Sequence, residues 1–130
     1  MKLFSLAAIV ILLLTALFSC SKDPVTNPER KIRYILYTNQ DFSGDKDTIR
    51  FTLLMHNHTG KMFDSAIAPM TVENIPDFNH KIVIDRLIPN NDTSTFSVGF
   101  SYYIDNVGLA WSIDTCSAGV TYKEVRLDFK

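Results

Sequence analysis

The sequence predicts an all-β protein, an antiparallel β-sandwich of seven to eight strands that follows a cleaved N-terminal signal helix. Three observations predict it. Beyond residue 30, apolar residues recur at every second position rather than with the helical period of 3.6. Clusters of Gly, Pro, Asn and Asp separate these stretches, as turns separate strands. No window of a dozen residues in this region keeps a helical period, so we expect very little helix.

The N-terminal segment has the layout of a signal peptide. Met1-Lys2 supplies one positive charge, and the apolar run 3–18 that follows contains no charge, Pro or Gly. Its 16 residues are fewer than the roughly 17 to 25 of a membrane-spanning helix. Because the mixed residues 21–24 are not a stop-transfer cluster, a permanent transmembrane anchor is disfavoured.

The apolar run ends in Leu17-Phe18-Ser19-Cys20, which resembles the lipobox of bacterial lipoproteins. The resemblance implies that the Cys20 thiol receives a diacylglyceryl group, that signal peptidase II cuts before it, and that the new amine is acylated. Each buried methylene contributes about 0.8 kcal/mol, and two or three acyl chains together anchor a protein stably. We therefore expect a membrane-bound protein.

The residues after the cysteine indicate a location. Ser21 stands where an Asp marks inner-membrane retention in many lipoproteins, which implies the outer membrane. Ser21-Lys22-Asp23 also resembles the surface-export tag of lipoproteins from the Bacteroidota. With its strand-rich domain, the chain is similar to the small single-domain β-sandwich lipoproteins of that phylum, which implies an accessory or adhesive role at the cell surface. The domain could face the periplasm or the medium.

These features divide the chain into a signal peptide (1–19), the lipidated cysteine with a tether (20–30) and a β-sandwich domain (31–130). The tether contains two prolines and several charges, so it should be extended. Removing 19 of 130 residues leaves 111, which is one domain by length. The mature part carries 12 Lys and Arg against 14 Asp and Glu, and this balance argues against a nucleic-acid partner.

Two strands should form the centre of the core, because apolar residues alternate cleanly along 49–55 and 96–104; Leu54 alone falls on the polar side of the first. Further strands are predicted at 32–38, 62–66, 70–73, 81–88, 109–115 and 121–129. Strands of this number and length suit a sandwich that is immunoglobulin-like in architecture, although the Cys…Trp…Cys spacing of true immunoglobulin domains is missing.

Residues that could bind a metal form two weak patterns. His56 and His58 should share one face of a strand, and with His80, at the start of another strand, they could hold zinc or copper. Solvent-facing histidines near a turn are the favoured interpretation. Three aspartates surround Gly44 but miss the order of a calcium loop, which favours a solvated loop. We expect no cofactor.

Catalytic motifs are also missing. Cys116 has no flanking base or glycine-rich turn, so we interpret it as a small buried or half-buried thiol rather than a nucleophile. The three glutamates have no context that would mark a glycosidase. These observations favour a non-enzymatic protein, and a small hydrolase with an unrecognised site is the third alternative.

Aromatic residues are the remaining binding residues. Trp111 is in phase with Leu109 and Ile113, which predicts a place in the core. Tyr37 and Tyr103 lie opposite the apolar stripes and should be exposed, so they could contact a ligand. We expect a lipoprotein whose sandwich binds another envelope protein, and a surface glycan-binding module is the alternative.

Overall fold

The computed structural model describes residues 26–130; the signal segment, the lipobox with Cys20 and residues 21–25 lie outside them. The described part is an all-β sandwich. Its strands are β1 (Lys31–Thr38), β2 (Thr48–Asn57), β3 (Ser65–Ala66), β4 (Met70–Thr71), β5 (Ile82–Leu87), β6 (Phe96–Ile104), β7 (Gly108–Cys116) and β8 (Tyr122–Phe129). Three single-turn 3₁₀ helices join them, and no helix within residues 26–130 has the length and hydropathy to cross a membrane.

The larger sheet, sheet B, contains the two strands expected at the centre of the core. β2 pairs with β6 along nine residues in an antiparallel register that places Phe51 opposite Tyr102 and Leu53 opposite Phe100. Because both strands alternate with period 2, their apolar residues fall on one face, apart from Leu54 and Tyr103 on the other. β7 pairs with the other side of β6, while β3 and β4 pair with different stretches of β2. The sequence prediction of these central strands is confirmed.

The smaller sheet, sheet A, has the order β5-β1-β8. β1 is antiparallel to β5 but parallel to β8, so the prediction of a purely antiparallel sandwich is wrong for this pair. β1 and β8 are the first and last strands of the described chain, and no hairpin between them imposes an antiparallel direction. The parallel pair joins the two ends of the domain.

The core lies between the inner faces of the two sheets. Tyr34 of β1 meets Phe100 of β6 edge to face at 5.6 Å, and Phe129 of β8 packs against Phe51 and Tyr102. The strand residues of this core cluster are Ile32, Tyr34, Leu36, Ile49, Phe51, Leu53, Met55, Phe96, Val98, Phe100, Cys116, Val125 and Phe129. Burial of these side chains is the main source of the domain's stability.

Most predicted strand boundaries agree with the structure to within one residue. The exceptions are the edge segments: the strand predicted at 62–66 is only Ser65–Ala66, and that at 70–73 is only Met70–Thr71. In the latter, Val72–Asn74 form a 3₁₀ turn whose Val72 is buried. Eight strands and the near absence of helix confirm the predicted class, while an immunoglobulin-like architecture stays a prediction.

Candidate functional site

The outer face of sheet A is charged and internally paired. Arg33 donates two hydrogen bonds to Asp85 at 2.7 and 2.8 Å, and Lys31 lies 3.3 Å from the same carboxylate. On the neighbouring strand β8, Arg126 pairs with Glu124. The hydrogen bonds from Arg33 hold the pKa of Asp85 well below its usual range. These charged side chains satisfy one another, and the exposed apolar residues of this face, Val83 and Leu87, lie on either side of Asp85.

The outer face of sheet B is different, because β7 presents large apolar side chains to solvent. Leu109, Trp111 and Ile113 are 61%, 64% and 58% exposed, and we call these three residues the β7 stripe. Tyr103 of β6, directly opposite Leu109, is 44% exposed on the same face. Isolated exposed apolar residues are common, but a contiguous row is typical of a binding surface.

The prediction that Trp111 belongs to the core is wrong, and the register of the β6–β7 hairpin gives the reason. Phe96 and Phe100, which point into the core, stand opposite Cys116 and Ser112. The even-numbered residues of β7 therefore share the inner side of the sheet, and Trp111 lies on the outer side. Alternation correctly grouped the stripe on one face, but that face is turned to solvent.

Tyr37 and Tyr103, proposed from sequence as ligand contacts, do not lie together. Tyr103 is on the outer face of sheet B and exposed, as predicted. Tyr37 is half-buried on the outer face of sheet A, where its ring meets Phe78 edge to face at 5.1 Å. The two outer faces are on opposite sides of the sandwich, so the two tyrosines cannot contact one small ligand.

The three histidines are also separate. His56, on the outer face of β2, lies 2.9 Å from Asp64, and His80 lies 2.8 Å from Asp77 at the end of a 3₁₀ turn rather than at a strand start. His58 falls in the turn after β2, so it does not share a strand face with His56. Between residues 26 and 130, no three His, Cys, Asp or Glu side chains form a possible metal site.

The aspartates around Gly44 act as hydrogen-bond acceptors within their loop. Asp41 accepts from the backbone N–H of Ser43 at 2.9 Å, and Asp45 accepts from that of Asp47 at 3.1 Å. Such contacts are the usual role of aspartate in turns. The solvated-loop interpretation fits this arrangement.

A feature that the sequence analysis missed is the buried guanidinium of Arg30, which was assigned to the tether. Arg30 is 2% exposed and donates to backbone carbonyls of two loops, including Val120 O at 2.7 Å and Ser94 O at 2.8 Å. Its Nη2 also lies 3.5 Å from Sγ of Cys116, which is 1% exposed, as predicted for a buried thiol. The ordered domain thus begins before β1.

Of these features, the β7 stripe with Tyr103 is the one whose side chains are exposed, apolar and contiguous. Its chemistry suits recognition by contact rather than proton transfer or metal binding. Comparison of the chain with models of protein families, with curated proteins and with solved structures gives no significant match.

Proposed function

We propose that the protein is a non-enzymatic lipoprotein, anchored to the outer membrane of a bacterial envelope through Cys20, whose sandwich binds another envelope protein. The binding surface is the β7 stripe together with Tyr103. The observation that carries the proposal is the contrast between the two outer faces. On the outer face of sheet A the charges are paired internally, and the exposed apolar residues Val83 and Leu87 are separated along β5 by Asp85. On the outer face of sheet B three large apolar side chains, each more than half exposed, occupy successive outward positions with no charge between them.

The stripe has the composition of an interface centre. Trp and Tyr are enriched among the residues that dominate binding energy, and charged residues are depleted there. Completing the burial of a side chain such as Leu109 or Ile113 contributes about 1 to 2 kcal/mol, given that more than half of each is exposed. A partner that covers all three stripe residues therefore gains a substantial gross stabilisation.

A glycan is the second candidate ligand, and one observation favours it. Trp111 and Tyr103 share the outer face of sheet B at diagonal positions, where two rings can present flat surfaces to sugars. However, aliphatic Leu109 and Ile113 flank Trp111 on the same row, and these side chains offer neither a π face nor a hydrogen bond to a hydroxyl. This flanking pattern supports a protein partner over a glycan.

The test is crosslinked affinity capture of the tagged, full-length protein from intact envelopes, read by mass spectrometry. We expect one abundant envelope protein with the wild type, and its loss with Trp111→Ala and with Cys20→Ala. Val83→Ala is the matched control, because Val83 is 45% exposed on the opposite outer face, and it should capture the partner normally. Undiminished capture by Trp111→Ala would exclude the stripe as the binding surface.

The same protein can test the glycan alternative directly. Trp111 is the one tryptophan of the chain, so its fluorescence reports on this surface alone. A shift in emission on adding envelope polysaccharide, together with no captured protein, would replace the protein partner with a glycan.

A further inference from the structure

The residues of the β7 stripe also carry unpaired backbone groups. β7 is the last strand of sheet B in the described chain, paired with β6 on one side and with no strand on the other. An antiparallel strand directs the N–H and C=O groups of alternate residues to opposite edges. Whether the stripe's backbone faces β6 or the open edge can be derived from hydrogen bonds elsewhere in the sheet.

At the far edge of the sheet, hydrogen bonds fix the direction of the backbone groups of β2. Ile67 donates to Phe51 O at 2.9 Å, so the odd-numbered residues of β2 direct their backbone groups away from β6. The backbone groups of the even-numbered residues face β6, in agreement with the hydrogen bond from Asp105 N to Thr48 O at 3.0 Å.

The alternation then passes across β6 to β7. Even residues of β2 stand opposite odd residues of β6, so the odd residues of β6 direct their backbone N–H and C=O groups to β2. The even residues of β6 therefore direct theirs to β7, and the β7 residues opposite them are also even. The odd residues of β7 therefore face the open edge. In agreement, the backbone N–H of Thr115 donates to the side-chain Oδ1 of its neighbour Asp114 at 2.7 Å.

Proteins usually protect a free strand edge with charge or by keeping the edge strand very short, and the other edges of this sandwich do one or the other. β3 and β4 have two residues each, and β5 carries Asp85 and Arg86. β8 carries Glu124, Arg126 and Asp128 along its length. β7 carries one charge, Asp114, which lies on the inner side near the end of the strand and is held by Lys123 of β8 at 2.6 Å. It protects only that end of the edge, because residues 109–113 carry no charge. The open edge of β7 thus has unpaired backbone groups beside uncharged, apolar side chains.

We propose that this edge pairs antiparallel with β7 of a second copy of the chain, with Trp111 opposite Trp111. Only odd residues can exchange hydrogen bonds across the open edges, and this register places odd residues opposite odd residues. Leu109 then meets Ile113, so every stripe residue faces an apolar one. Asp114 stands opposite Gly108, so no like charges meet. The contact is isologous and closes on a two-fold axis, the commonest symmetry of oligomers.

Pairing at the edge leaves the outer face of sheet B open. Two stripes and two copies of Tyr103 then form one continuous apolar patch. Self-pairing thus deepens the proposed function, and it rests on that function only for the envelope protein that the patch would bind. A single added strand covers less than the roughly 800 Å² per partner of a standard interface, so the contact is weak in solution. Anchoring both copies to one membrane supplies the effective concentration that a weak contact needs.

Single cysteines along the stripe test the register in intact envelopes under a mild oxidant. Across the two-fold axis, Trp111→Cys places two thiols on directly opposed residues, within the roughly 4.4 to 6.8 Å between Cα atoms that a disulfide spans. Leu109→Cys alone places its two thiols four residues apart along the pair, about 14 Å at 3.4 Å per residue, which is too far for a disulfide. The two thiols of Ile113→Cys are equally far apart. When the two variants are co-expressed, the Leu109→Cys thiol of one copy stands opposite the Ile113→Cys thiol of the other, so a disulfide can form.

We expect a covalent dimer from Trp111→Cys and from the mixture of Leu109→Cys with Ile113→Cys, and none from either of these alone, from wild type or from the surface control Val83→Cys. Absence of the Trp111→Cys dimer, or equal crosslinking by all single variants, overturns the proposal.

A matched pair of substitutions at Ile113, each combined with Trp111→Cys, separates this inference from the proposed function. Ile113→Ala shortens the side chain and keeps the edge N–H, whereas Ile113→Pro also removes that N–H without removing a bond to β6. The proline variant should lose the covalent dimer that the alanine variant retains. If the wild type captures a partner but Trp111→Cys gives no dimer, self-pairing is overturned and the proposed function stands. If Trp111→Cys gives a dimer but the wild type captures no partner, self-pairing stands and the proposed function is overturned.

Discussion

Arg30 offers the sharpest test of what holds the domain together. Its guanidinium is buried at one end of the sandwich, where it donates to the backbone carbonyls of Asp92 and Ser94 in one loop and of Ser117 and Val120 in another. It also lies 5.8 Å from the centre of the Phe96 ring. One side chain therefore joins the start of the domain to the loops before β6 and after β7.

The perturbation is Arg30→Ala. It removes the donors of four carbonyls, and leaving a buried acceptor unsatisfied costs about 1 to 3 kcal/mol. Because both loops can turn some carbonyls toward water, we expect the lower part of the summed range, a loss of about 4 kcal/mol. A typical domain has about 5 to 15 kcal/mol in total, so this variant should be close to unfolding. Arg30→Lys keeps the charge with three donors and no planar fork, and should lose about half as much.

The assay is urea unfolding followed by far-ultraviolet circular dichroism, which reports on the sheets rather than on exposed Trp111. Arg126→Ala is the control, since Arg126 is exposed and its ion pair with Glu124 is on the surface; its midpoint should equal that of the wild type. If Arg30→Ala lowers the free energy of unfolding by less than about 1 kcal/mol, its effect is close to that of an ordinary surface substitution. That result would refute the inference that Arg30 holds the two loops to the start of the domain.

The packing of Gly99, the ion pair of Asp85 and the exposure of Trp111 each give a further prediction. A Cβ on Gly99 would lie 2.0 Å from the carbonyl oxygen of Ser112, so Gly99→Ala should lower the free energy of unfolding by at least about 1 to 3 kcal/mol in the same urea assay. The hydrogen bond from Arg33 lowers the pKa of Asp85 in the folded state. The contribution of this pair to the free energy of unfolding is therefore present above the unfolded-state pKa of about 3.9 and is lost as the pH falls below that value toward the folded-state pKa. Stability measured from pH 6 to 2 should therefore decline more steeply for the wild type than for Asp85→Asn, and equal slopes would contradict this. Trp111 fluorescence should be quenched by acrylamide almost as readily as free tryptophan, and a shielded signal would contradict the outward stripe.

The centre of the fold could be predicted because the information is local. The apolar alternation along β2 and β6 is complete on one side of each strand, and every one of those apolar positions faces the core or its margin. Only Leu54 breaks the pattern, and it lies half-buried on the outer face, as its phase requires. Where both strands of a pair alternate in this way, register and burial are specified together.

The stripe shows the limit of the same argument. Alternation places Leu109, Trp111 and Ile113 on one face, but it does not say which face is buried on an edge strand. The hairpin could have decided it: a three-residue loop pairs Ile104 with Gly108, so even residues of β7 share the inner side with the even, apolar residues of β6. Sequence phase across a tight turn is therefore a better guide than apolarity alone.

Arg30 could not have been found in this way. Its acceptors lie between 62 and 90 residues away and are backbone carbonyls, which leave no trace in side-chain type. The local sequence is a proline, a glutamate and an arginine before a strand, which is typical of a linker. Contacts between a side chain and distant backbone become visible only when the loops are placed.

The positions of Arg30 and the stripe together constrain how a dimer could sit on a membrane. Arg30 lies beside Cys116, so the tether proposed to carry the lipid leaves the domain at the end where β7 finishes. Antiparallel pairing of two β7 strands puts the two tethers at opposite ends of the pair. Both reach one bilayer equally when the two-fold axis stands along the membrane normal, with both sheets lying parallel to the surface. Of the two such orientations, the one with sheet A toward the lipid places paired charges such as Arg33 and Asp85 against the headgroups and leaves the doubled stripe open to another envelope protein.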